Sequence, residues 1–238
     1  MNYRAIIFLI GLIITGCASA QPIPTATLTP TSAPSPTITF TLTPALPLPG
    51  REIIFQESGN KNFTGTAYGQ GKTAILLANM SIGGEKQWDP FIAAVDKQKF
   101  TTVTFNYQDI NDVGQDMDLI LGQLKEEGFE RVICIGASLG TRACSNIARE
   151  PEIVGLVLIA GSVHHASVAE ATYPKLFIAG ELDVWAFDIQ MGYEQAAESK
   201  TLVLFEDNRA HGTDLFRSKD SQQFISLLID FVNSVAKP

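Results

Sequence analysis

The sequence predicts an α/β protein, a doubly wound, mostly parallel sheet with helices on both faces, carried behind a charge-free front end. Short apolar runs alternate with segments of helical periodicity along residues 51–238. These runs are apolar at nearly every position, which suits strands buried on both faces. Charge is also segregated. Arg4 is the only charged side chain in residues 1–50, and eight of the twelve prolines lie between Gln21 and Gly50. At about 150 residues per domain, 238 residues allow one domain plus attachments.

Residues 1–20 read as an export signal. Arg4 supplies the positive start, and Ala5–Ile14 an apolar stretch shorter than the about 20 residues a bilayer needs. Ile14-Thr15-Gly16-Cys17 resembles the bacterial lipobox, and that resemblance implies lipid on Cys17 and a membrane anchor. Residues 21–50 interleave eight prolines with eight threonines. They are expected to form a disordered, extended Pro/Thr-rich linker, at about 3.1 Å per residue where polyproline II forms.

Residues 51–238 are expected to be the folded domain. Glu52–Gln56 and Phe63–Tyr68 suggest a hairpin around Gly59-Asn60. Thr73–Asn79, Thr101–Tyr107, Arg131–Ile135, Val154–Ala160, Lys175–Ala179 and Leu202–Phe205 read as buried strands. Val113, Met117, Ile120, Leu121 and Leu124 recur at helical spacing, as do Phe224, Leu227, Leu228, Phe231 and Val235. Residues 86–97, 139–149 and 186–199 are further helix candidates. Ligand sites in such sheets lie outside the carboxyl ends of the strands.

A hydrophobic fraction of 45% supports a packed core, and a formal charge of −8 with pI about 4.9 argues against a nucleic-acid partner. No Cys/His cluster has metal-ligand spacing, so no metal site is expected. Cys134 and Cys144 are expected to stay unpaired as small buried hydrophobes, although their separation does not forbid a bridge.

The chemistry concentrates where Val132-Ile133-Cys134-Ile135 runs into Gly136-Ala137-Ser138-Leu139-Gly140 and then into a helical pattern. Strand, G-x-S-x-G and helix together place a serine on a sharp turn at the sheet edge. The glycines let the strand and helix pass closely, and the helix N-terminus offers oriented N–H groups. The bland alternative is an N-cap serine flanked by packing glycines. A nucleophilic serine needs a base. His211, in the polar loop after the last strand, is favoured over His164 and His165, which follow the strand ending at Ala160. An orienting carboxylate is expected from Gly180-Glu181-Leu182-Asp183. Asp183 is the first choice and Glu181 the second, with helix capping as the bland role for Asp183.

Residues 73–232 resemble a small α/β-hydrolase, similar to the dienelactone-hydrolase and prolyl-oligopeptidase-like branches. The order Ser138, Asp183, His211 matches that superfamily's nucleophile, acid and base. The resemblance implies oxyanion donors at the backbone N–H groups of Leu139 and Met80, although Asn79-Met80 stands where relatives usually carry His-Gly. It further implies a serine hydrolase acting on a small-molecule ester through an acyl-enzyme, a mechanism that needs no metal or organic cofactor. Only Gly161–Tyr173 could form a cap, so an open site is expected. Met80, Trp185 and Phe187 are possible apolar walls. Small esters, acylated sugars and lipid-like esters all remain open as substrates. So do peptide cleavage, acyl transfer to another acceptor, and a binding protein that kept the fold without catalysis.

Overall fold

The computed structural model describes residues 49–56 and 62–236. The expected signal, Cys17, nearly all of the linker and the Gly59-Asn60 turn lie outside the described residues. Eight strands form one sheet: β1 (Arg51–Gln56), β2 (Asn62–Gly69), β3 (Thr73–Ala78), β4 (Phe100–Phe105), β5 (Arg131–Ala137), β6 (Ile153–Ile159), β7 (Lys175–Gly180) and β8 (Lys200–Phe205). Their order is β1-β2-β4-β3-β5-β6-β7-β8. β1 pairs antiparallel with β2 and β2 antiparallel with β4; from β4 to β8 all pairs are parallel. β1 therefore runs in the same direction as the parallel strands. Through β2, Arg51 is level with Val103, in the middle of β4.

Side chains alternate across the central strands. Leu76, Cys134, Leu158 and Phe177 belong to the core on one face, and Ile75, Ile133, Ile159 and Ile178 to the core on the other. The first face is covered by α2 (Val113–Glu126), α3 (Leu139–Asn146), α4 (His165–Glu170) and α5 (Ala186–Gln195). The second is covered by α1 (Asp89–Ala94) and α6 (Ser221–Val235). α6 buries Phe224, Leu228, Val232 and Val235, a stripe near four-residue spacing, so one helix seals much of that face. Each fully buried Leu, Ile or Phe contributes about 1.5–3 kcal/mol. This matches the expected doubly wound architecture.

The differences are local. The helix expected over 86–97 is a 3-10 turn (Glu85–Trp88) followed by α1, with Pro90 in the first turn of α1. The helices expected over 139–149 and 186–199 end earlier, at Asn146 and Gln195. α4 and a second 3-10 segment (Gly212–Arg217) had no sequence counterpart. Six residues are too few to display a hydrophobic period.

Cys134 and Cys144 are also corrected: they form a disulfide. Cys134 lies on β5 and Cys144 on α3, and the turn between them brings their Cα atoms to 5.7 Å. The bond closes a ten-residue separation that contains Ser138. Among the described residues no helix is long and apolar enough to cross a membrane.

Candidate active site

β3 and β5 are neighbours at the centre of the sheet, where the chain steps to β4 on one side and to β6 on the other. The site sits at their carboxyl ends. Ser138 follows β5 directly and precedes α3 directly, with φ 53° and ψ −109°. A non-glycine residue there carries about 1–3 kcal/mol of backbone strain, which the surroundings must hold in place. Two glycines make the turn fit. A Cβ on Gly136 would stand 2.0 Å from the Gly140 carbonyl oxygen, and one on Gly140 would stand 2.1 Å from that of Ala78. Strand, turn and helix thus meet main chain to main chain. Thr141, fully buried, donates to the carbonyls of Gly136 (3.2 Å) and Ile159 (2.9 Å), and the Ser138 N–H donates to Ile159 as well (2.8 Å).

His211 is placed by the connection after β8. Its ring bridges two groups that are distant in sequence. Nε2 lies 2.8 Å from Ser138 Oγ, and Nδ1 lies 2.9 Å from Asp183 Oδ2. A carboxylate only accepts, so Nδ1 carries the hydrogen, and Nε2 of the neutral ring accepts from the serine hydroxyl. Asp183 has its side chain 1% exposed and holds the Trp185 N–H with its other oxygen (2.7 Å). It therefore orients the ring and caps the approach to α5 at once. The hydrogen bond from His211 to Asp183 raises the histidine pKa above its ordinary value. Burial opposes this, while the charges of Asp183 and Asp214 add to it.

The rival residues are elsewhere. Glu181 is exposed and accepts from the Asp207 N–H. His164 precedes α4, bonded to Ser145 Oγ through its backbone and to Ser167 Oγ through its ring. His165 begins α4, with its Nδ1 buried and without a hydrogen-bond partner in the protein.

A cleft of about 510 Å³ opens over Ser138 and His211, lined by Met80, Ser81, Ile82, Gly83, Lys86, Gln87, Asp214 and Arg217 as well. Met80 is there as expected, its side chain against Gly212, whereas Trp185 and Phe187 are not among the lining residues. Leu139 is the first residue of α3, a position whose N–H has no carbonyl partner within the helix. Asn79, where relatives usually have histidine, is buried and works as a brace. It donates to the Phe105 carbonyl, accepts from Trp88 Nε1 (3.0 Å), and takes the Tyr107 hydroxyl on its own carbonyl (3.2 Å). The backbone is thereby held just before Met80.

Two further residues tie the loops together and carried no signal in the sequence. Gln87 donates to the Ile82 carbonyl and accepts from Thr213 Oγ1 (2.9 Å), joining the loop after β3 to the segment after His211. Asn208, buried, takes the Leu182 N–H on its carbonyl (2.9 Å) and the Ala210 N–H on its side chain (2.7 Å). It donates to Ser218 Oγ (3.1 Å) and Asp220 Oδ2 (2.6 Å). One amide thus links the acid loop, the base loop and the start of α6. Among the described residues no group of three or more His, Cys, Asp or Glu is placed to hold a metal ion.

The arrangement has structural relatives. A Pyrococcus furiosus esterase superposes with a TM-score of 0.66 at 11% identity, covering 80% of this chain and 94% of its own. The esterase domain of a Rhodothermus marinus protein gives 0.63 at 13%, covering 80% and 100%. A dienelactone hydrolase from Anabaena variabilis gives 0.61 at 17%, covering 79% and 99%.

The chain has the α/β-hydrolase fold.

No protein-family model and no curated protein sequence matches it. Identities this low show a shared fold, and in this α/β-hydrolase fold the chemistry must be read from the site itself.

Proposed function

We propose that this protein is a serine hydrolase that cleaves ester-type bonds through an acyl-enzyme. The observation that carries the reading is the single imidazole of His211, within 3 Å of both Ser138 Oγ and Asp183 Oδ2. Ser138 Oγ attacks the ester carbonyl carbon while His211 Nε2 takes its proton. Asp183 keeps the ring in the tautomer that leaves Nε2 free and stabilises the imidazolium that forms. The tetrahedral oxyanion is stabilised by the N–H groups of Leu139 and Met80; one such donor lowers the barrier by about 2.7–4 kcal/mol. The C–O bond to the alcohol then breaks, and His211 returns the proton to the leaving oxygen. Water repeats the sequence on the acyl-serine and releases the acid. The three structural neighbours named above are an esterase, an esterase domain and a dienelactone hydrolase, which is consistent with ester-like substrates.

A fluorophosphonate probe tests this. It should label the wild type and not Ser138→Ala, and ester turnover should fall by roughly 10⁴-fold or more in that variant. A folded wild type that takes no label would make the protein a non-catalytic binder. A panel of esters, acylated sugars and peptides then separates hydrolysis of esters from peptide cleavage.

The proposed place of work is the outer side of a bacterial membrane, with lipid on Cys17 as the anchor. The lipobox-like sequence supports it, and so does the Cys134–Cys144 bond, since disulfides persist in oxidising compartments. Cys17→Ser should release the protein from the membrane fraction; unchanged retention would refute the anchor.

A further inference from the structure

Of the seven large apolar side chains exposed among the described residues, six stand at the carboxyl edge of the sheet, five on loops and Phe187 in the first turn of α5. Ile82 follows β3, Ile110 follows β4, and Leu182, Val184, Trp185 and Phe187 follow β7. Only Ile54, on the edge strand β1, lies elsewhere. Exposure is high where it counts: Val184 87%, Ile82 82% and Phe187 70%. Isolated apolar side chains on a surface need no explanation, but confinement to one edge does. In the strand order these loops flank Ser138 on both sides, and Ile82 itself lines the cleft over it.

We propose that this rim docks on a neutral lipid surface and that the substrates are acyl esters presented there. The proposal rests on the hydrolase reading above and names its substrate class. The occupant follows from two features. The segments at this edge carry more acid than base, Asp109, Asp112, Glu181, Asp188, Glu206 and Asp207 against Lys86, Arg209 and Arg217, so their balance disfavours an anionic headgroup and a second acidic copy alike. The second is chain length: Gly50 follows Cys17 by 33 positions, enough chain for the folded domain to lie against the surface that would hold Cys17.

Trp185 is a built-in reporter, because the only other tryptophan, Trp88, is fully buried. In the full-length chain carrying Ser138→Ala and Cys17→Ser, phosphatidylcholine vesicles should shift Trp185 emission to the blue. Val184→Asp with Phe187→Asp should weaken that vesicle binding by about tenfold or more, whereas Ile54→Asp should not. Mixing phosphatidylglycerol into the vesicles should weaken it as well. On wild type, turnover of a long-chain ester should rise when the ester passes its solubility limit, and the double Asp variant should lose that rise. The proposal is overturned by an emission unmoved by vesicles, by a shift indifferent to the double variant, or by a shift that tracks protein concentration without lipid, which would mean a second copy. These binding readouts do not need turnover. A vesicle-dependent shift in a protein that takes no fluorophosphonate label sinks the hydrolase reading and leaves the docking surface standing.

Discussion

The two halves of the candidate site are built by opposite means. The serine half, β5 through Ser138 to α3, is held by main-chain contact at Gly136 and Gly140 and by a covalent bond between Cys134 and Cys144. The base and acid half, the connections after β7 and β8, is held by polar side chains: Asp183, Asn208 and, across the cleft, Gln87. In the first half an added Cβ at Gly136 or Gly140 would meet backbone. In the second, the His211 ring and the loops around it are held by directional hydrogen bonds. Nucleophile position is thus set by sterics and base position by directional bonds, so substitutions in the two halves should fail differently.

The largest expected effect falls on the polar half. Asp183→Asn keeps the size but offers an amide where the ring N–H needs an acceptor. It favours the tautomer that puts hydrogen on Nε2, which then cannot take the serine proton. A fall of roughly 10⁴-fold in kcat with the thermal transition nearly in place is the expected outcome. Loss of folding with loss of activity would show that Asp183 is mainly a cap for α5.

Next comes the steric half. Gly136→Ala places a methyl 2.0 Å from the Gly140 oxygen and 2.8 Å from the Thr141 nitrogen, both backbone atoms that cannot swing aside. A stability loss of about 3 kcal/mol or more is expected, read as a lowered Tm or loss of soluble protein. If Gly136→Ala melts like wild type, the close approach of β5 and α3 is wrong.

The disulfide sharpens the comparison further. Replacing both cysteines by alanine should cost roughly 2–3 kcal/mol by the loop-closure relation, or about 5–10 °C in Tm. Because the bond touches only the serine half, the pH dependence of the remaining activity should not move. A shifted pH profile would mean that the two halves are coupled through α3.

The same contrast explains what could be read from the amino-acid sequence. Strands β3 to β7 and the turn at Ser138 were legible because their signals are local: unbroken apolar runs, and two glycines at fixed spacing around a serine. His211 and Asp183 were legible only as residue types at the right sheet edge, with His164, His165 and Glu181 as rivals until the loops were placed. Asn208, Gln87 and Thr141 were not legible, since each binds partners from separate connections that nothing in the chain order pairs. The disulfide was missed for the same reason. A separation of ten residues says nothing about the sharp turn that folds Cys144 back over Cys134. α4 and the 3-10 segment after His211 are simply too short to show a period.

The smallest effect concerns pH, and it separates near from far within the polar half. The His211 pKa lies above the ordinary histidine value, chiefly through its hydrogen bond to Asp183, with a smaller contribution from the charge of Asp214. Activity needs the neutral ring, so kcat/KM should rise with pH along a limb centred above the ordinary value. Stability runs the other way. A raised folded-state pKa means the Asp183–His211 interaction stabilises fully below the unfolded-state pKa and fades as pH climbs through the folded one. Activity should therefore increase over the interval in which this part of the stability is lost. Asp214→Asn should move the limb to lower pH by less than Asp183→Asn does. Asp214 is half exposed and paired with Arg217, so its influence should shrink as salt is added, while that of the buried Asp183 persists. A limb that shifts equally with salt in wild type and Asp214→Asn would place the controlling charge elsewhere in the cleft, with Lys86 the next residue to change.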